Sequence, residues 1–315
     1  MTTTHHPERL VDRLAMVAVR VMLGSAKGSI NGPGGRKSFD EIMEHVPAAP
    51  EITYEATVIG GVSGWWCRPK DAMVGAAILY LHGGGYVVGA AHAYQHFVGQ
   101  VAIRASVAAF VPEYRLAPEH PFPAAVEDAK AAYEGLLAAG LANIALAGDS
   151  AGGGLALVLL SWAAAKARAG SSDSAPKGAA VMSAWTDLTL TGESMVTRAE
   201  ADPLSTPASL AALAGLYLES RDPRDPLASP LYGDLTGLPP VRMHVGEDDV
   251  LLDDSVRYGE QLERAGGTCQ VHTWQGMPHV FPSNVALLKA AKEALDDVGG
   301  FLKEQLLGEP SVIAA

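Results

Sequence analysis

Short apolar runs alternate with longer helical segments over most of the chain. The first two runs flank Gly60-Gly61, which predicts an antiparallel hairpin. From Ala76 onward the runs are continuously apolar, which is typical of strands covered by helices on both faces. The pattern therefore predicts an α/β fold with a mostly parallel central sheet of about eight strands, flanked by helices. The predicted strands are Thr53–Ile59, Val62–Arg68, Ala76–Leu81, Val107–Val111, Asn143–Ala147, Ala179–Ser183, Val241–Val245 and Gln270–Trp274.

Three segments depart from this alternation. Before the first of these strands the sequence predicts one amphipathic helix, and residues 187–232 have polar, proline-punctuated helical sequence. An insertion there would lie over the strand ends as a helical lid. Residues 308–315 form a tail that we expect to be frayed. The predicted apolar face of the first helix consists of Leu10, Leu14, Val17, Ala18 and Val21.

Composition narrows the class of protein. The 315 residues are 48% hydrophobic, which excludes disordered and fibrous chains, and the formal net charge of −12 argues against a nucleic-acid partner. The most apolar amino-terminal stretch, Leu14–Leu23, is interrupted by Arg20 and preceded by acidic residues, unlike a membrane span or a signal peptide. Cys67 and Cys269 lie far apart and are expected to be buried free thiols. We therefore expect a cytoplasmic protein without stable membrane insertion.

The clearest chemical motif is Gly148-Asp149-Ser150-Ala151-Gly152. It follows a predicted strand and precedes a long Ala/Leu-rich segment, the strand–turn–helix context that a nucleophile elbow requires. We therefore predict that Ser150 is a nucleophile. The alternative is a glycine-rich turn in which Ser150 only caps the helix, whereas a phosphate-binding loop is disfavoured because no lysine follows the glycines.

A second motif, His82-Gly83-Gly84-Gly85-Tyr86, comes directly after the predicted strand Ala76–Leu81. Glycines leave backbone N–H groups uncovered, and an oxyanion hole needs such donors. We predict that the N–H groups of Gly83, Gly84 and Ala151 form this hole, with Gly85 as the nearby alternative. A flexible turn is the other interpretation of the three glycines.

A general base and an acid should follow the serine in the chain order Ser, Asp/Glu, His. Only His244, His272 and His279 lie downstream of Ser150. The first two fall inside predicted strands and are expected to pack there. His279 lies in a loop just past a strand, where an imidazole can reach a serine. We therefore predict that His279 is the base.

The acid is expected in the loop after Val241–Val245, where Glu247, Asp248 and Asp249 compete. One of them is expected to cap the following helix, and composition does not choose among the three. The cluster lacks the ligand spacing of an EF-hand loop, so we predict no metal site there.

These motifs resemble the bacterial hormone-sensitive-lipase-like branch of the α/β-hydrolase esterases. The resemblance rests on HGGGY at 82–86, GDSAGG at 148–153 and YRLAPEHPFP at 114–123, and it covers about residues 50–305. It implies an α/β-hydrolase fold with a helical cap. The implied division is an N-terminal cap segment at 1–50, a core at 51–186 and 233–307, a helical cap insertion at 187–232 and the tail at 308–315.

The resemblance also implies which carboxylate is the triad acid. The family pattern D/E-x-L-x-D falls on Asp249–Asp253, although Val250 stands where the family usually has proline. Asp249 is therefore the implied acid, and Asp248 remains the second choice. Tyr86, Trp185 and the lid residue Leu204 are the expected substrate-binding residues.

The activity implied is that of a serine carboxylesterase, which hydrolyses short to medium acyl esters through an acyl-enzyme without a metal ion or organic cofactor. With His279 as the base, kcat/KM should rise through a pKa of about 6.5 to 7. A lactone hydrolase and an aryl-acetate or amide deacetylase would use the same triad. A ligand-binding protein on a hydrolase scaffold is the non-enzyme alternative. The resemblance further allows a homodimer, with Gln270–Trp274 as the expected edge strand.

Overall fold

The computed structural model describes residues 2–23, 26–170 and 175–307. Within these residues nine strands form a single sheet. The strands are β1 (Thr2–His6), β2 (Ile52–Ile59), β3 (Val62–Pro69), β4 (Ala76–Leu81), β5 (Ala109–Pro112), β6 (Asn143–Asp149), β7 (Ala179–Met182), β8 (Val241–Gly246) and β9 (Cys269–Trp274). The α-helices in the same residues are α1 (Leu10–Leu23), α2 (Arg36–Glu44), α3 (Ala91–Ala105), α4 (Ala124–Ala138), α5 (Ser150–Arg168), α6 (Ser194–Thr197), α7 (Pro207–Leu218), α8 (Leu252–Arg264) and α9 (Lys289–Leu307).

The strand order is β1-β9-β8-β7-β6-β4-β5-β3-β2. Strand β3 pairs antiparallel with β2 and with β5, and all other neighbours are parallel. The central strands are buried on both faces, because helices α4, α5 and α8 pack on one side and α3 and α9 on the other. The predicted α/β fold with a mostly parallel sheet is confirmed. Cys67 and Cys269 are buried free thiols, as predicted.

The sheet has one strand more than the sequence predicts, and this strand overturns the predicted edge. Strand β1 pairs in parallel with residues Gln270–Trp274 of β9, so this segment lies inside the sheet. Its sequence, Thr-Thr-Thr-His-His, has no apolar residue, so hydrophobic patterning does not reveal it. Side chains hold it instead: His5 Nδ1 lies 2.7 Å from Thr273 Oγ1, and the His6 ring stacks on Trp274 at 3.7 Å between centroids.

Helix α5 is the central buried helix of the fold. Its length and composition alone would allow it to cross a membrane, but most of it is buried inside the protein between the sheet and its neighbours. Residues 187–232, predicted as a cap insertion, contain α6 and α7, and residues 1–50 contain α1 and α2 where one helix was expected. The tail at 308–315 lies outside the described residues.

Helix α1 faces the opposite way from the prediction. Its core-facing residues include Asp12 and Met16, and both carboxylate oxygens of Asp12 accept N–H groups at the start of α9, from Lys289 at 2.7 Å and Ala290 at 3.3 Å. The helix has apolar residues on two sides, and the hydrogen bonds that Asp12 accepts from the start of α9 select the side that contains the aspartate. The predicted face is exposed and consists of Leu10, Leu14, Val17, Ala18 and Val21.

This orientation predicts unequal costs for two truncations in α1. Met16 is 2% exposed and packs with Trp274 and Phe281, whereas Leu14 is 65% exposed. We expect Met16→Ala to lower the free energy of unfolding by about 2–4 kcal/mol, because it leaves a cavity. Leu14→Ala should change it by about 0.5 kcal/mol or less. Urea unfolding of both variants measures the difference, and equal losses would contradict the observed orientation.

Candidate active site

Ser150 stands at the sharp turn between β6 and α5. Its φ of +52° lies in the left-handed region, so the side chain projects clear of the sheet. The flanking glycines are required by space: a Cβ on Gly152 would lie 2.1 Å from the Leu81 carbonyl oxygen, and one on Gly148 would lie 2.5 Å from the Gly152 carbonyl oxygen. Strand and helix therefore approach closely only with glycine at these two positions.

The predicted base and acid both lie next to this serine. His279 Nε2 is 3.0 Å from Ser150 Oγ, and His279 Nδ1 is 3.0 Å from Asp249 Oδ2 and 3.2 Å from Oδ1. Asp249 is wholly buried. The loops after β8 and β9 bring the two residues together at the carboxyl ends of neighbouring parallel strands. The arrangement can move a proton from the hydroxyl to the imidazole while the carboxylate orients the ring.

The two competing carboxylates have other partners. Asp248 accepts a hydrogen bond from Arg20 of α1 at 2.5 Å, and Glu247 accepts one from Thr273 Oγ1 at 3.2 Å. Among Glu247, Asp248 and Asp249, only Asp249 contacts the imidazole. Although Val250 stands where the family usually has proline, the loop still places the Asp249 carboxylate against the His279 imidazole.

The electrostatic surroundings of His279 are strongly negative. Burial lowers the pKa of this imidazole, but the charges of Asp249, Asp202 and Asp149, together with the hydrogen bond to Asp249, outweigh burial and raise it to about 9. The imidazolium is thus favoured at neutral pH. The expected inflection of kcat/KM moves above the value of about 6.5 to 7 that an unperturbed histidine would give.

One of the backbone N–H groups predicted as an oxyanion donor in the glycine loop after β4 already has a protein acceptor. The Gly83 N–H donates to Asp149 Oδ1 at 3.2 Å, so it is already engaged. Gly84 and Gly85 line the cavity beside Ser150, and in the described part of the chain neither N–H has a protein acceptor. The N–H groups left available beside the serine are therefore those of Gly84, Gly85 and, in the first turn of α5, Ala151.

Asp149 fixes the position of this loop. Besides the Gly83 N–H it accepts hydrogen bonds from Tyr80 Oη at 2.8 Å and Tyr94 Oη at 3.0 Å. Burial raises the pKa of its carboxyl to about 6, although the two tyrosine hydrogen bonds and the charge of His279 act in the opposite direction. The residue before the nucleophile thus connects the elbow to the glycine loop.

Helix α7 contacts the same loop directly. A Cβ on Gly85, whose φ is +61°, would lie 2.6 Å from Leu213 Cδ1 of α7. Helix α7 therefore packs against the backbone of the glycine loop, and a side chain at position 85 would strain this φ and displace the end of Leu213.

A cavity of about 200 Å³ opens beside Ser150 and His279. Its walls are mostly apolar and come from both the amino-terminal segment and the insertion. The lining residues of the amino-terminal segment were not singled out from sequence, although Phe39, Ile42 and Met43 follow the i, i+3, i+4 spacing of an amphipathic helix. The apolar lining residues are Ile30, Phe39, Ile42, Met43, Leu204, Leu210, Leu213 and Val280.

Of the predicted substrate-binding residues, Leu204 lines this cavity, whereas Tyr86 and Trp185 do not. Tyr86 is buried with its ring stacked on Tyr217 of α7 at 3.9 Å between centroids. Trp185 is wholly buried and donates its indole N–H to the Asp187 carbonyl oxygen at 3.1 Å. Neither ring lines the cavity, because both of these large side chains are buried in the core beside the sheet.

His244, His272 and Asp297 place potential metal-ligand atoms within 4.8 Å of one another, outside the cavity lining. His244 Nδ1 accepts the Trp274 indole N–H at 3.1 Å, so its proton is on Nε2, which donates to Asp297 Oδ2 at 2.9 Å. A metal ion at Nε2 would move that proton to Nδ1, against the indole N–H. Arg242 also binds Asp297. These residues therefore do not fit a metal ion.

Comparisons with known proteins agree with this geometry. A model of a family with the alpha/beta hydrolase fold matches residues 78–283. An acetyl-hydrolase of Streptomyces hygroscopicus is 39% identical over 251 residues, which are 79% of this chain and 82% of that protein. An esterase of Acinetobacter venetianus is 32% identical over 269 residues, 84% of this chain and 87% of that protein.

Solved structures of esterases have a similar fold. The crystal structure of an esterase from the bacterial hormone-sensitive lipase family is 35% identical, with a TM-score of 0.86 over 95% of this chain and 99% of that one. The structure of EstE5 soaked with p-nitrophenyl butyrate is 38% identical, with a TM-score of 0.82 over 93% of this chain and 99% of that one.

Proposed function

The chain belongs to the bacterial hormone-sensitive-lipase-like family of α/β-hydrolases and is a carboxylic ester hydrolase, and we propose that it acts through an acyl-enzyme on Ser150. The observation that carries the proposal is the hydrogen-bonded series Ser150–His279–Asp249, with 3.0 Å at each link. The proposed substrates are small-molecule esters, as the names of its esterase relatives indicate for those proteins.

In the first half of the reaction, His279 Nε2 takes the proton of Ser150 Oγ as the oxygen attacks the ester carbonyl carbon. Asp249 holds the ring through Nδ1–H and stabilises the imidazolium that forms. The carbonyl oxygen becomes an oxyanion, which the N–H groups of Gly84, Gly85 and Ala151 stabilise, each donor by roughly 3 kcal/mol. The imidazolium then gives its proton to the leaving alkoxide.

In the second half, His279 takes a proton from water as the water oxygen attacks the carbonyl carbon of the acyl group bound to Ser150. The same donors stabilise the second oxyanion, and collapse of this intermediate releases the carboxylic acid and returns the proton to Ser150. None of these steps requires a metal ion or an organic cofactor.

The size of the cavity is the reason to propose substrates with short to medium acyl groups. Its volume of about 200 Å³ is below the roughly 300–1,000 Å³ of pockets that hold drug-sized ligands. Lactones and amides would use the same three residues, so they remain alternatives for the reactive group. A purely ligand-binding role is disfavoured because nucleophile, base and acid are all in contact. The homodimer, the domain division and the cytoplasmic location stay predictions.

A series of p-nitrophenyl esters from acetate to dodecanoate tests the substrate class. We expect kcat/KM to stop rising at acyl chains of roughly six carbons and to be no higher at twelve, because methylenes outside the cavity gain no burial. Lactones and p-nitroanilides with matched acyl chains are the controls. A maximum at the longest chain, or a lactone hydrolysed faster than every ester, would contradict the proposal.

A further inference from the structure

Asp202 is a wholly buried carboxylate that sequence analysis did not single out. It lies in the insertion between α6 and α7. Its Oδ1 accepts the N–H groups of Leu204 at 2.8 Å and Ser205 at 2.9 Å, and its Oδ2 accepts the N–H of Val250 at 3.1 Å. Burial and the charge of Asp249 raise the pKa of Asp202, whereas the charge of His279 and the N–H groups of Ser205 and Leu204 act in the opposite direction.

The partners of Asp202 belong to two parts of the site. Val250 directly follows Asp249, so one carboxylate oxygen holds the loop of the triad acid. Leu204 and Ser205 line the cavity, so the other oxygen holds its wall. A displacement of the insertion would therefore move the acid loop and the cavity wall together.

The charge of Asp202 also acts on His279. Three carboxylates from three elements influence this imidazole: Asp249 after β8, Asp149 at the end of β6, and Asp202 in the insertion. Asp249 bonds the ring directly, whereas Asp149 is occupied by two tyrosine hydroxyls and the glycine loop. Other charges beside the acid loop are those of Asp248 and Arg20, which pair with each other, and of Arg198 and Glu8, which interact with Asp248.

We propose that Asp202 is a positioning residue for ester hydrolysis, which holds the acid loop against the cavity wall and stabilises the imidazolium of His279 through its charge. The inference rests on the proposed function, because it assumes that His279 is the general base. Proton transfer from Ser150 creates a positive charge on the ring, and a buried negative charge close by stabilises that charge strongly in a site of low dielectric constant.

The sign of the effect on pH dependence follows from this charge. Burial lowers the pKa of His279, and the three carboxylates raise it to about 9. Because the neutral ring is the base, kcat/KM of the natural protein should rise with pH through an inflection near that value. Removal of the Asp202 charge destabilises the imidazolium, so the inflection should move to lower pH by about one unit. The plateau of kcat/KM should fall about tenfold, because the same charge stabilises the transition state.

Kinetics of Asp202→Asn from about pH 5.5 to 10.5 test this inference, with Asp225→Asn as the matched control. Asp225 lies in the same insertion and accepts the Leu227 N–H at 2.9 Å, but its charge is not among those that influence His279. We expect the inflection to move only in Asp202→Asn. Asp202→Glu keeps the charge and should retain an inflection close to that of the natural protein, even if its rate falls.

Three results would overturn the inference. The first is an unchanged inflection in Asp202→Asn together with a lower rate, which would mean a purely structural role. The second is an equal displacement in Asp202→Glu. The third is loss of folding both in Asp202→Asn and in Asp202→Ser, whose hydroxyl oxygen can still accept the backbone N–H groups. A flat profile in the natural protein itself is a different result, which would contradict His279 as the base.

Discussion

Replacing Ser150 with alanine should lower kcat/KM for p-nitrophenyl esters by about 10⁴-fold or more. The substitution removes the only atom that can form the acyl-enzyme bond, and the remaining oxyanion donors and cavity supply only a small residual rate. Ser150 Oγ bonds His279 Nε2 at 3.0 Å, and the backbone at φ +52° is already fixed by the packing of Gly148 and Gly152. Alanine should therefore keep the fold while it removes the chemistry.

The control for this variant is its stability. The urea midpoint and the circular dichroism spectrum of Ser150→Ala should match those of the natural protein, and labelling by a fluorophosphonate probe should be lost. A variant that still releases a burst of p-nitrophenol would exclude Ser150 as the nucleophile.

Replacing Asp249 with asparagine should have an effect of similar size, a loss of about 10⁴-fold in kcat. The carboxylate accepts the His279 Nδ1–H at 3.0 Å and thereby leaves Nε2 free to accept the serine proton. An asparagine amide can donate to Nδ1, which favours the wrong tautomer. The side chain keeps its size, so the loop should keep its position.

Asp248→Asn is the matched control, since the sequence places two aspartates side by side. Asp248 bonds Arg20 of α1 in a partly exposed position and does not contact the imidazole. Its neutral variant should therefore keep kcat within about tenfold of the natural value, as partly exposed ion pairs contribute little. If Asp248→Asn lost as much activity as Asp249→Asn, the assignment of the acid would be wrong.

The chemistry of the site could be anticipated from sequence because most of it is local. The elbow around Ser150 and the glycine loop after His82 are continuous motifs whose backbone geometry follows from small residues at fixed spacing. Chain order limits the base to three downstream histidines, and the loop position after a predicted strand selects His279 among them. The acid needed the family resemblance, because three adjacent carboxylates have the same local pattern.

The features that sequence analysis missed depend on contacts between distant segments. Strand β1 is held by histidine and threonine contacts with β9, which no apolar pattern records. The orientation of α1 is decided by Asp12 at the start of α9. Asp202 had no signal at all, because one aspartate in a polar insertion is unremarkable until its partners Leu204 and Val250 are known.

The approach of Leu213 to Gly85 limits how the substrate range can be engineered. A smaller residue at position 213 would enlarge the cavity, but it would also remove packing from the backbone that carries two of the proposed oxyanion donors. Selectivity and turnover are therefore coupled on that wall. Phe39 and Met43 of α2 line the part of the cavity that the amino-terminal segment forms. Phe39 stacks on Tyr94, whose hydroxyl binds Asp149 and so supports the glycine loop, and libraries aimed at bulkier substrates should therefore begin with Met43.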